Sequence, residues 1–107
     1  MEKRSSERKM ADLDAMIVSR SLNYKGVIRN LADDGICINI HSEQNLYQLL
    51  NGMLFEVRFA LPSGENIDLH CEVIRTHRQT AEVLETTVGM KIIDQPPEYR
   101  QFLKTHH

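Results

Sequence analysis

Apolar residues recur at every second position along most of this chain, the period of a half-buried strand. Leu13, Ala15 and Ile17 alternate with Asp12, Asp14 and Met16, predicting a first strand. Tyr24 to Leu31 reads as the next, with Ser21-Leu22-Asn23 as the turn between them. Ile36, Ile38 and Ile40 share one face and leave Cys37 and Asn39 on the other. Met53, Phe55, Val57, Phe59 and Leu61 alternate with Leu54, Glu56, Arg58 and Ala60, the clearest strand of all. Pro62-Ser63-Gly64 is a turn by composition, and Ile67, Leu69, Cys71 and Val73 form the pairing strand beyond it. Gln79 to Glu85 fits loop or strand equally. Val88, Met90 and Ile92 make a last strand that ends at Asp94.

The period changes to that of a helix in two places. Ser42 is an N-cap for a short helix with Leu46, Leu49 and Leu50 on one side and Asn51-Gly52 as its stop. Asp94-Gln95-Pro96-Pro97 opens a second helix, where proline is tolerated in the first turn, and Tyr99, Phe102 and Leu103 form its apolar stripe. About six short antiparallel strands with a closing helix predict a mainly β fold, a small antiparallel barrel. Before it, residues 1–11 offer only Met1, Met10 and Ala11 as apolar positions. Such a segment cannot bury enough surface to offset its ordering entropy, so it is expected to be a flexible basic arm, with 12–107 as the single folded domain.

The 107 residues suffice for one modest core. A net charge of −2 and a pI near 6.2 argue against bulk binding to duplex DNA or to an anionic membrane. A small anion needs only a local patch, and Lys3, Arg4, Arg8 and Lys9 supply one, diluted by Glu2 and Glu7. No apolar run approaches the roughly 18 residues of a membrane span, and the polar start is no signal peptide, so a cytoplasmic protein is expected. Cys37 and Cys71 then read as buried thiols rather than a disulfide.

Two polar signatures carry the candidate chemistry. Arg4-Ser5-Ser6-Glu7-Arg8 sets two guanidiniums four residues apart on a segment too polar for a core. Asn30-Leu31-Ala32-Asp33-Asp34-Gly35 is a turn between two apolar runs. R-x-x-x-R followed at this distance by [D/N]-x-[S/A]-x-x-G resembles the PilZ domain, a bacterial receptor module for cyclic di-GMP. The strand order, the Val88-Gly89-Met90-Lys91-Ile92 strand and the helix after Pro97 extend the resemblance over nearly the whole chain.

The resemblance implies a ligand site at Arg4, Arg8, Asn30, Ala32 and Gly35. The two arginines would grip guanine and phosphate, for which a planar fork is suited. Asn30 would meet a guanine edge, Ala32 would let the ligand pack close, and Gly35 would permit a backbone conformation, such as positive φ, that a side chain resists. The arm would order as it closes on the ligand. Arg75, late in its strand, either reaches the ligand or faces water. Asn30 offers a single acceptor where an aspartate offers two, and Ala32 lacks the hydroxyl of the serine alternative. Both departures point to micromolar rather than nanomolar binding.

Other chemistries find less support. His41, His70 and His77 with Cys37 and Cys71 show no metal-ligand spacing, and His70 and Cys71 point to opposite faces of one strand. Asp33-Asp34 and Glu82/Glu85 have no nucleophile or base beside them, and no catalytic or glycine-rich phosphate motif occurs, so neither an enzyme nor a cofactor is expected. His106-His107 receives no role. Three Phe, three Tyr and no Trp leave few stacking platforms for single-stranded nucleic acid. The rival expectation is a PilZ-like protein-interaction module with a decayed nucleotide site, acting through 42–52 or the last helix. An unidentified protein partner is expected in either case. Monomer or homodimer, and one ligand molecule or two, are equally compatible with the spacing.

Overall fold

The computed structural model describes residues 9–20, 22–41, 49–78 and 85–105. The alternating segments become six strands, β1 (Lys9–Ser19), β2 (Leu22–Leu31), β3 (Gly35–His41), β4 (Leu54–Ala60), β5 (Asn66–Arg78) and β6 (Glu85–Asp94), followed by helix α1 (Pro97–Thr105). Every pairing is antiparallel, in the order β1-β2-β3-β6-β5-β4, and β1 against β4 closes the barrel. The predicted inward faces all point inward. Ile17, Ile28, Ile38, Ile40, Val57, Leu69, Val73 and Val88 are fully buried, each stabilising the fold by about 1.5–3 kcal/mol relative to exposure. The apolar stripe of α1 closes one end of this core through Tyr99 and Leu103, with Phe102 half-buried beside them.

Several boundaries differ from the pattern. Lys9 to Ala11 belong to β1 rather than to the arm, because backbone pairing with β2 (Lys9↔Leu31, Met10↔Asn30) replaces the apolar burial they lack. Leu22 and Asn23 belong to β2, and the turn before it comes earlier, at Arg20 with φ +52°. Leu49 is buried whereas Leu50 is 60% exposed, and neither is helical, so the predicted leucine stripe does not hold at its end. Its remainder, and the Ser42 cap, lie outside the described residues. Asn51-Gly52 is a β-turn rather than a helix stop: the Met53 N–H donates to the Leu50 carbonyl (3.1 Å), and Gly52 has φ +92°. The ambiguous stretch is strand at its C-terminal end, where Glu85 begins β6.

The strands also carry irregularities that a strict period of two cannot encode. The β2–β3 register slips between Ile28 and Asn30, and the β5–β6 register slips between Val73 and Arg75. Each is a β-bulge, an extra residue that turns two successive side chains to the same side. Arg29 and Asn30 therefore both leave the interior, as do Ile74 and Arg75. A third slip, between His70 and Cys71, sets Ile93 outward, 53% exposed, while Cys71 stays inside. The Cys71 thiol is pushed up to about 12 by burial. No helix among the described residues is long and apolar enough to cross a membrane.

Candidate functional site

The two bulges have a joint result on the outside of the barrel. Asn30 on β2 lies opposite Cys37 on β3, Cys37 opposite Gly89 on β6, and Gly89 opposite Arg75 on β5. Four residues from four strands thus form one transverse row, with Met10 of β1 opposite Asn30 at its end. A groove of about 360 Å³ runs over this face, and Ala32, Gly35, Cys37, Arg75, Gly89 and Lys91 are among the residues that line it. Asn30 stands one strand over from Cys37, beside the groove rather than in it. His77 and Thr87 extend the lining beyond Arg75, and the Thr87 hydroxyl donates to Asn39 Oδ1 (3.0 Å).

Gly89 sets the position of Arg75. A Cβ on Gly89 would sit 3.3 Å from both Cγ and Nε of Arg75, so the arginine stem lies across the bare backbone of β6. Among the described residues the Arg75 side chain makes no ion pair or hydrogen bond. Its guanidinium is therefore available to an anion or to an acceptor edge in the groove. Lys91 and His77 are further nitrogen groups on this face, and Asp34 is the carboxylate among the lining residues.

One end of the groove is the turn from β2 to β3. The Ala32 N–H donates to the Gly35 carbonyl (2.9 Å), closing a loop of Asp33 and Asp34. Ala32 is only 4% exposed, because α1 packs on it and the Tyr99 hydroxyl donates to its carbonyl (2.7 Å). Burial, reinforced by neighbours that include Asp33, raises the Tyr99 phenol well above its ordinary range, so it stays a donor. Gly35 does not have positive φ. Glycine is needed there because a Cβ would approach the Met90 carbonyl oxygen on β6 to 2.9 Å.

The fold thus brings Asn30, Ala32, Gly35 and Arg75 to one outer face. Arg4 and Arg8 lie outside the described residues; Lys9, which follows Arg8, pairs with Leu31. Pattern reading missed Gly89 and Cys37 as parts of this face. A glycine inside the apolar Val88–Ile92 strand was the available signal for Gly89, since such a residue marks a close approach. Alternation sets Cys37 on the face away from Ile36 and Ile38, but its neighbours there depend on the register of three strands. It is half-buried in the groove, and of the two thiols expected to be buried only Cys71 is. Among the described residues no three His, Cys, Asp or Glu side chains are grouped to hold a metal ion.

Known proteins share this architecture. The structure of the Bacillus subtilis inhibitor of motility MotI/DgrA superposes with a TM-score of 0.73 at 14% identity, over 99% of this chain and 54% of that one. This chain therefore spans about half the length of the Bacillus protein. The PilZ domain of YcgR from Escherichia coli, solved with c-di-GMP, superposes with a TM-score of 0.75 at 13% identity, over 95% of this chain and 87% of that one. At these identities the likeness is one of fold. No curated protein matches in sequence. The PilZ domain family model, however, matches residues 2–106, and the chain accordingly belongs to the PilZ domain family.

Proposed function

We propose that this chain is a cyclic di-GMP receptor, a binding domain without catalytic activity of its own. The observation that carries the reading is the convergence of Asn30, Ala32, Gly35 and Arg75 on one outer face, beside β1, whose first residue follows Arg8 in sequence. Arg4 stands five residues before Lys9, within about 18 Å of extended chain, so both arginines can reach that face. The dinucleotide presents two phosphates and two guanine edges. Arg4, Arg8 and Arg75 match either, and Asn30 supplies an amide to a guanine edge. The YcgR domain, with c-di-GMP bound, has this fold and supports the assignment.

The residues before β1 fold down on the ligand, and the altered surface engages or releases a protein partner. Motility, attachment or exopolysaccharide synthesis is the process controlled, and the fold shared with an inhibitor of motility favours the first. Calorimetric titration of cyclic di-GMP into the wild type and into Arg4→Ala/Arg8→Ala tests the receptor reading. Micromolar binding lost in the double variant supports it, and absence of heat across several temperatures refutes it. Limited proteolysis near Arg8 tests the closure; equal cleavage at saturating ligand would sink it.

One observation favours the rival reading, a ligand-independent interaction module. Ala32 is buried, its N–H is committed to the Gly35 carbonyl, its carbonyl already accepts from Tyr99, and its methyl side chain has no hydrogen-bonding group for a ligand. A partner complex that survives Arg4→Ala/Arg8→Ala, in a protein that gives no heat with the dinucleotide, would establish that module.

A further inference from the structure

The loop of Asp33 and Asp34 is held by an unusual set of bonds. A two-residue connection between antiparallel strands ordinarily uses positive φ to match the strand twist. Neither residue has it: Arg20, Gly52 and Gly64 are the positive-φ residues among those described. The loop is closed by the bond from the Ala32 N–H to the Gly35 carbonyl. Three consecutive carbonyls are instead satisfied from the far end of the chain. Tyr99 Oη donates to Ala32 (2.7 Å), Gln95 Nε2 to Asp33 (2.8 Å) and the Ile92 N–H to Asp34 (2.9 Å). The Tyr99 ring is itself fixed in the core, edge-on to Phe59 at 6.4 Å.

We propose that Tyr99 and Gln95 are positioning residues for the ligand-facing turn: the segment from Ile92 to Tyr99 holds the Ala32–Asp34 backbone in shape, so that docking of α1 and affinity for the dinucleotide rise and fall together. This rests on the receptor reading. The coupling is reciprocal by linkage, so a ligand that holds the turn also holds the helix. The hydroxyl of Tyr99 supplies the link and its ring supplies core packing, and the two can be separated by substitution.

The experiment compares Tyr99→Phe, which keeps the ring, and Gln95→Ala with Val57→Ala, a core truncation in β4 on the opposite wall of the barrel. Amide hydrogen exchange at Ala32 and Ile92 is read in the free protein, and cyclic di-GMP affinity by calorimetry. Loss of one buried hydrogen bond predicts exchange about fivefold faster at both amides in Tyr99→Phe, and binding about fivefold weaker. Gln95→Ala is expected to act in the same direction. Val57→Ala should lower the melting temperature more than either, yet leave local exchange and affinity unchanged. Exchange in Tyr99→Phe within twofold of the wild type overturns the proposal, as does an equal affinity loss in Val57→Ala. If the wild type binds no dinucleotide, the receptor reading fails and the coupling to affinity with it. Exchange at Ala32 and Ile92 then decides alone whether these residues shape the turn.

Discussion

Gly35 and Gly89 sit on adjacent outward rungs of the same strand pair, Gly35 opposite Lys91 and Cys37 opposite Gly89, yet a methyl group added at each should act differently. At Gly35 the new Cβ would meet the Met90 carbonyl oxygen at 2.9 Å, about 0.5 Å inside ordinary contact. That oxygen is backbone in a paired strand, so β6 itself must move. Overpacking of this kind costs about 1–3 kcal/mol. The lower entropy of an alanine in the unfolded chain offsets about 0.4–1 kcal/mol of it. A net loss of about 1–2 kcal/mol corresponds to a fall of roughly 5–15 °C in melting temperature for a domain near this size. At Gly89 the nearest atoms to the new Cβ all belong to Arg75, Cγ and Nε at 3.3 Å and Cδ at 3.9 Å, on an exposed and flexible side chain. The arginine can swing aside, the unfolded-state gain applies equally, and stability should change by less than about 0.5 kcal/mol. Urea denaturation with matched slopes measures both, and calorimetry shows whether displacing Arg75 weakens the dinucleotide. Equal destabilisation by the two variants, or a larger loss for Gly89→Ala, would refute the reasoning.

Asn30→Asp introduces a charged acceptor on the outer face and should tighten cyclic di-GMP binding about fivefold, since charge-assisted hydrogen bonds are roughly twice as strong as neutral ones; calorimetry reads it. Leu69→Ala removes a fully buried side chain of β5 and should cost about 2–5 kcal/mol in chemical denaturation. The fold should also weaken in alkali. Burial raises the Cys71 thiol from 9.0 to about 12, so the native state keeps a proton that the unfolded chain releases above pH 9. The stabilisation is whole below pH 9 and is lost as pH rises towards 12, at up to about 1.4 kcal/mol per pH unit. Denaturation midpoints compared at pH 8.5 and 10 should therefore fall less in Cys71→Ala than in the wild type.

The inward faces were legible because burial on one side of a pleat writes itself as alternation: Phe55, Val57, Phe59 and Leu61 are all interior, as are Ile67, Leu69, Cys71 and Val73. Tyr99 and Leu103 were legible for the corresponding helical reason. The irregularities were not. An extra residue at Arg29 or Ile74 leaves the composition of its strand unchanged, and only the partner strand's register reveals it. Strand formation at Lys9–Ala11 and Glu85–Thr87 likewise comes from backbone pairing, which polar residues support as well as apolar ones. Of the candidate site, the Asn30–Gly35 turn could be found from its own residues. The reason for Gly35 could not, since it lies in the carbonyl of a residue 55 positions away. The hydroxyl of Tyr99 was equally hidden: a stripe predicts that the ring is buried and says nothing of what its oxygen meets.

Closure of β1 against β4 also restricts how this domain can communicate. An open sheet leaves a row of unpaired amides and carbonyls along each outer strand, and a partner can dock there by adding a strand of its own. Here each of the six described strands already has a neighbour on both sides. Strand addition is thereby denied wherever two strands pair, but β1 meets β4 only over Ala15–Val18, so the β4-facing edge of β1 before Ala15 keeps unpaired backbone groups. Whatever engages the paired part of the barrel must read side chains, on the face of a strand or on the helix, and its specificity is open to point substitution.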